Sequence, residues 1–127
     1  MMKETNIQEK LLQAMEYLRN VEGVRGVALA RRDGLLIESL VPAEVDPRQL
    51  AATCATIVGS SEQVSRDLSQ GPFHKALLEY NDGQVITLGL GEMAFLIAMI
   101  QRNLNLGLVL LELDRVSRDI TTILEEF

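Results

Sequence analysis

The sequence predicts an α+β fold in the order α-β-β-α-β-β-β-α, and three observations carry that expectation. Two short turns, Arg32-Asp33-Gly34 and Asn81-Asp82-Gly83, each lie between runs of strand character. Asp-Gly is a strong short-range hairpin signal, because a tight turn needs backbone angles that glycine adopts at little cost. The run Met93-Ala94-Phe95-Leu96-Ile97-Ala98-Met99-Ile100 contains no polar residue, which marks a strand covered on both faces and so placed centrally in its sheet. Helix-like segments stand before the first hairpin, between the two hairpins and after the last strand.

Taken in order, Thr5 and Gln8 have the spacing of a capping box, in which each polar side chain satisfies an orphaned backbone donor. Ile7, Leu11, Ala14, Met15 and Leu18 then recur at helical spacing, so the first helix is expected over about residues 6–20. Gly23 breaks it. Val24 to Ala30 forms a strand, and Leu35 to Leu40 returns antiparallel. Asp46-Pro47 starts the second helix, with Asp capping free N–H groups and Pro losing no hydrogen bond at the first position. Gly71-Pro72 should stop it near Gln70. Phe73–Tyr80 and Gln84–Leu88 make the second hairpin, and Met93–Ile100 the fifth strand. The last helix is expected from Asn103 or Asn105, with Leu106, Val109, Leu110, Leu113, Val116, Ile120, Ile123, Leu124 and Phe127 on its apolar side.

At 127 residues and 47% hydrophobic, the chain is expected to form one domain, residues 1–127, around one core. A net charge of −6 argues against a nucleic-acid surface, which needs basic clusters to displace counterions, and against anionic membranes. Arg31-Arg32, Arg115 and Arg118 are interrupted by acids and read as solvated surface. Gln101, Arg102, Asn103 and Asn105 divide the apolar stretch from Met93 to Leu113 into pieces too short to span a bilayer. The opening Met1-Met2-Lys3-Glu4 lacks the apolar run of a secretory segment. With a lone Cys54 and no possible intrachain disulfide, a cytoplasmic protein is expected.

No catalytic constellation is expected, and neither a cofactor nor a metal. His74 is the only histidine, and acid–base or metal chemistry needs partners around it. Cys54 falls on the core-facing side of the second helix, where a thiol is inert. Gly89-Leu90-Gly91-Glu92 lies between strands, without the helix N-terminus that would hold a phosphate. Asp33 and Asp82 are each explained by their own turn.

The second helix carries two opposed stripes. Leu50, Cys54, Ile57, Val58, Val64 and Leu68 form an apolar one, expected to pack on the sheet. Ala52, Ala55 and Gly59 form a small-residue one nearly opposite. Alanine alone is explained by helix propensity, but an interior glycine costs roughly 1 kcal/mol and asks for a packing reason. A close crossing with the same helix of a second copy supplies one.

Val21-Glu22-Gly23-Val24-Arg25-Gly26-Val27-Ala28-Leu29, Arg32-Asp33-Gly34-Leu35-Leu36-Ile37, the small-residue second helix, the central strand and Asn103-Leu104-Asn105-Leu106-Gly107-Leu108-Val109-Leu110-Leu111 occur in an order and spacing that resemble the Roadblock family, also called the dynein light chain 7 type. The short single-domain prokaryotic members are the nearest in kind. The resemblance implies a profilin-like, five-stranded antiparallel sheet with helices on both faces. It also implies a homodimer in which second helices pair and sheets join through residues 73–80, which brings Phe73, Lys75 and Leu77 to the candidate interface beside Ala52, Ala55 and Gly59. The partner it implies is a small Ras-like GTPase whose nucleotide state is modulated, or a larger assembly for which the protein is a scaffold. Arg48, Gln49, Glu62, Gln63, Arg66 and Asp67, the polar margin of the second helix, are the candidate partner-binding residues. The competing readings are a small-molecule sensor and a purely structural subunit. The resemblance carries no shared catalytic residue onto this sequence.

Overall fold

In the computed structural model, which describes residues 2–102 and 105–126, eight elements follow the expected order. They are α1 (Met2–Arg19), β1 (Val24–Arg31), β2 (Leu36–Leu40), α2 (Pro47–Leu68), β3 (Lys75–Tyr80), β4 (Gly83–Leu90), β5 (Ala94–Gln101) and α3 (Leu106–Leu124). The strands make one antiparallel sheet in the spatial order β2-β1-β5-β4-β3. β5 is central, and its two-residue alternation sends side chains into a core on each face, which explains why Ala94–Ile100 carries no polar side chain. Leu96, Ala98 and Ile100 enter a core built with α1 and α3, whereas Phe95 and Ile97 enter a second core built with α2.

Local signals fixed most helix ends. Asp46 is the N-cap of α2, its Oδ1 accepting from the Arg48 and Gln49 amides at 3.1 and 3.3 Å. Asn105 caps α3 through the Leu108 amide at 3.2 Å. Asn103, the other expected start, and Phe127 lie outside the described residues. α1 begins at Met2, so the Thr5–Gln8 pair lies inside the helix and not at its start.

The first hairpin turns through Arg32, Asp33 and Gly34 as expected: Arg31 N–H donates to Leu35 O at 2.8 Å and Gly34 N–H to Arg31 O at 2.9 Å, with Gly34 at φ +95°. In the second, Tyr80 pairs with Gly83, so the turn residues are Asn81 and Asp82. Gly83 is needed for proximity instead, since a Cβ there would stand 2.7 Å from the Ile100 carbonyl oxygen. Phe73 and His74 precede β3, and Met93 sits in the β4–β5 turn.

The two sheet edges are unlike. β3 pairs with β4 in unbroken register from Lys75 to Tyr80. β2 carries a bulge, because Leu29 pairs with Glu38 and Ala30 with Leu36, leaving Ile37 as the extra residue. On the opposite side, Tyr17 Oη and Arg115 Nη2 both donate to Glu112 Oε2, at 2.8 and 2.9 Å, joining α1 to α3. Arg115 also stacks on the Tyr17 ring at 4.8 Å. The hydrogen bonds from Arg115 and then Tyr17 hold the Glu112 carboxyl below the usual glutamate range.

Candidate interaction surface

Among the described residues α2 is the only helix on its face of the sheet, and its buried residues are Ala51, Cys54 and Val58. They pack on Ala28, Ala30, Phe95 and Ile97. The expected apolar stripe is therefore only partly right. Leu50 and Ile57 are half-buried, while Val64 and Leu68 are 55% and 61% exposed. At 100° per residue the buried line lies roughly 70° round the helix from the stripe that side-chain size selects. The reason is steric: the alanines of β1 let the helix backbone come close, and close approach favours Ala51 over Leu68. Burial also pushes the Cys54 thiol up in pKa, which keeps it protonated and unreactive.

The small-residue stripe has a use within the chain. A Cβ at Gly34 would lie 3.3 Å from Ala52 Cα and 3.4 Å from Ala55 Cβ, so the β1–β2 turn rests against these alanines. Among the described residues nothing stands within 4 Å of the Cβ that Gly59 lacks. Ile57, Val64 and Leu68 lie on the other flank of α2, and Val64 borders a groove of about 310 Å³ that runs to Phe73 and Lys75. On this side the sheet is thinly covered. Leu78 and Val85 are half-buried, and Tyr80 is exposed. The Leu77 side chain points to the α3 side and is 48% exposed. Lys75 also faces α3, with Nζ 3.6 Å from Asp114 Oδ2.

Of the polar margin, Arg48 and Gln49 are exposed at the start of α2. Near its end, Arg66 Nη2 donates to Gln63 Oε1 at 2.8 Å and Gln63 Nε2 to Asp67 Oδ1 at 2.9 Å. The two arginines share a side of the helix but stand roughly 27 Å apart along it, at 1.5 Å rise per residue. One chain alone does not bring them to a single site.

Glu62 is occupied by a residue that sequence reasoning left on the solvated surface. Arg32 donates from Nη1 to Glu62 Oε2 at 2.8 Å, from Nη2 to Gly91 O at 2.7 Å and from Nε to Ala94 O at 3.0 Å. Its side chain is only 17% exposed and its guanidinium carbon lies 5.8 Å from the centre of the Phe73 ring. The arginine thus clamps the β4–β5 turn, the start of the β3 segment and α2 together. Gly89 makes room, since a Cβ there would sit 2.9 Å from Arg32 Nη2. Nothing in the local Arg31-Arg32-Asp33 sequence signals this.

His74 is exposed and Cys54 buried. Among the described residues no group of three or more His, Cys, Asp or Glu side chains has a metal-binding arrangement, and no helix is long and apolar enough to cross a membrane.

The family model described as the Roadblock/LC7 domain matches residues 10–101. The uncharacterized protein MJ1340 of Methanocaldococcus jannaschii is 26% identical over 103 residues, covering 81% of this chain and 90% of that protein. MglB of Myxococcus xanthus superposes with a TM-score of 0.88 over 93% of this chain and 97% of its own, at 22% identity. A Roadblock/LC7 domain from Streptomyces avermitilis does so at 0.82 over 89% and 96%, at 14% identity. At those identities the likeness speaks to the fold. The chain belongs to the Roadblock/LC7 domain family.

Proposed function

From this family membership we propose that the protein is a non-catalytic, homodimeric regulator or scaffold that binds a small Ras-like GTPase and tunes its nucleotide state. The observation that carries the reading is the half-covered face of α2. Val64 and Leu68 stand exposed beside a thinly covered stretch of sheet, next to the unbulged β3 edge. A second copy related by a twofold axis supplies the missing layer, α2 against α2 and β3 against β3. The helix contact then uses Ile57, Val64 and Leu68, with Gly59 open on the opposite flank. Ala52 and Ala55 support it from behind through the Gly34 turn. Phe73, Lys75 and Leu77 lie at or beside the joined edge.

Antiparallel pairing of α2 puts Arg48 of one copy at the same end of the helix pair as Arg66, Gln63 and Asp67 of the other, with both arginines on the flank turned away from the helix contact, so that each end of the pair offers a polar margin. Such a margin selects a partner by charge complementarity. Glu62, already held by Arg32, shapes it from behind. The buried Cys54 and the exposed His74 support a non-catalytic role, with the proposed compartment the cytoplasm and no cofactor required.

Light scattering at micromolar concentration should give a dimer, and pull-down should recover a Ras-like GTPase encoded beside this protein, with affinity that depends on its nucleotide. Reversing charge at Arg48 and Arg66 should weaken that binding and leave the dimer intact. Unchanged binding moves the site to the α1/α3 face. Failure to bind in every nucleotide state replaces the regulator with a scaffold.

A further inference from the structure

A cavity of about 460 Å³ opens between α3 and the β3–β4 end of the sheet, on the face away from α2. His74, Lys75, Leu88, Asp114, Ser117 and Arg118 line it. Three donor side chains against one acid is a local reversal in a chain of net charge −6. The donors are also under-used. Lys75 Nζ is 3.6 Å from Asp114 Oδ2, longer than the roughly 2.7–2.9 Å of a tight charge-assisted bond, so its ammonium group keeps donors to offer. Among the described residues the Arg118 guanidinium makes no hydrogen bond or ion pair, whereas Arg115 on the same helix is fully engaged with Glu112, Asp119 and Tyr17.

Ser117 is the independent sign. It is 8% exposed, lines the cavity and, among the described residues, has a hydroxyl without a hydrogen-bond partner. The neighbouring hydroxyls of α3 satisfy themselves on their own helix, Thr121 donating to Ser117 O at 2.8 Å and Thr122 to Arg118 O at 3.1 Å. Ser117 does not, and an unpaired buried hydroxyl is costly unless something else accepts from it.

We infer that this cavity binds a small organic oxyanion, a phosphate or carboxylate group carried by a small molecule. Arg118 and Lys75 supply the charge, His74 a further polar group at the rim and Ser117 Oγ–H a donor from the floor, while Leu88 receives the apolar body. The volume is that of ordinary small-molecule sites. The cavity lies on the α3 side of the sheet, toward which Lys75 turns its side chain, away from the polar margin of α2. The inference therefore stands apart from any GTPase.

The test is an amide NMR titration of the full-length protein with inorganic phosphate and, separately, acetate, at constant ionic strength. Saturable shifts are expected at His74, Lys75, Ser117 and Arg118. Affinity should fall about tenfold in Arg118→Gln, the loss of one charge-assisted bond, and stay level in Arg115→Gln. Ser117→Ala should lose about threefold, a neutral hydrogen bond; if that variant misfolds, the exposed Arg118 decides alone. Tighter phosphate binding identifies a phosphate-bearing ligand, and tighter acetate binding a carboxylate. Shifts that never saturate with either probe, or wild-type affinity in Arg118→Gln, overturn the site.

Discussion

On the α1/α3 side of the sheet, Val27, Leu29, Ile86, Leu88, Leu96 and Ile100 are covered by two helices that bring Met15, Leu18, Leu113 and Ile120. On the other side, Ala28, Ala30, Phe95 and Ile97 meet the single helix α2, and the coverage thins toward β3. The first face buries large side chains and gains the larger hydrophobic stabilisation. The second buries small ones closely and leaves Val64 and Leu68 to solvent. One face therefore holds the fold, and the other leaves surface for association.

The largest test of that division is Leu96→Ala. It should destabilise by about 2–5 kcal/mol, as cavity creation in a packed core does, and denaturant midpoints should show the same loss at every protein concentration. Ile97→Ala, on the α2 side of the same strand, belongs in this range too; a change within about 0.5 kcal/mol would mean that α2 does not seal its half. Next, Arg32→Ala removes a clamp between the two turns and α2, and should cost about 2 kcal/mol, the scale of hydrogen bonds to a charged group. Arg32→Lys, lacking the planar fork, should recover only part.

Gly59 separates intrachain from interchain effects. Gly59→Ala should stabilise the folded chain by up to about 1 kcal/mol from helix propensity, since its Cβ meets open space. Gly59→Leu should weaken association if a second helix crosses there. Val64→Ser with Leu68→Ser should change monomer stability by under about 0.5 kcal/mol yet abolish the concentration dependence of melting. If it unfolds the dilute protein, Val64 and Leu68 belong to the α2-side core and the contrast fails. The smallest effect is expected at Glu112. Its pKa is lowered on folding, so its contribution is present at neutral pH and lost as pH falls through that lowered pKa. Melting of Glu112→Gln should lie below wild type at neutral pH and converge with it in acid.

The order of elements was legible because it is written locally. Asp46-Pro47, Asn105 and the apolar run of β5 each act on their own few residues. What was not legible depends on distant pieces meeting. A helical wheel ranks positions by side-chain size and selects Val64 and Leu68, while the alanines of β1 select Ala51. Arg32 reads as surface because its acceptors lie 30 to 62 residues away. Gly83 reads as a turn residue until the Ile100 carbonyl is seen beside it.

The bulge at Ile37 bears on stoichiometry. A sheet with two open edges can keep adding neighbours, and the end state of that process is a fibre. Here only β3 offers a continuous ladder, whereas β2 interrupts its own. The proposed pairing through β3 about a twofold axis would consume the open edge of both molecules at once and turn the bulged β2 strands outward. Growth along the sheet would then terminate at two without a capping protein.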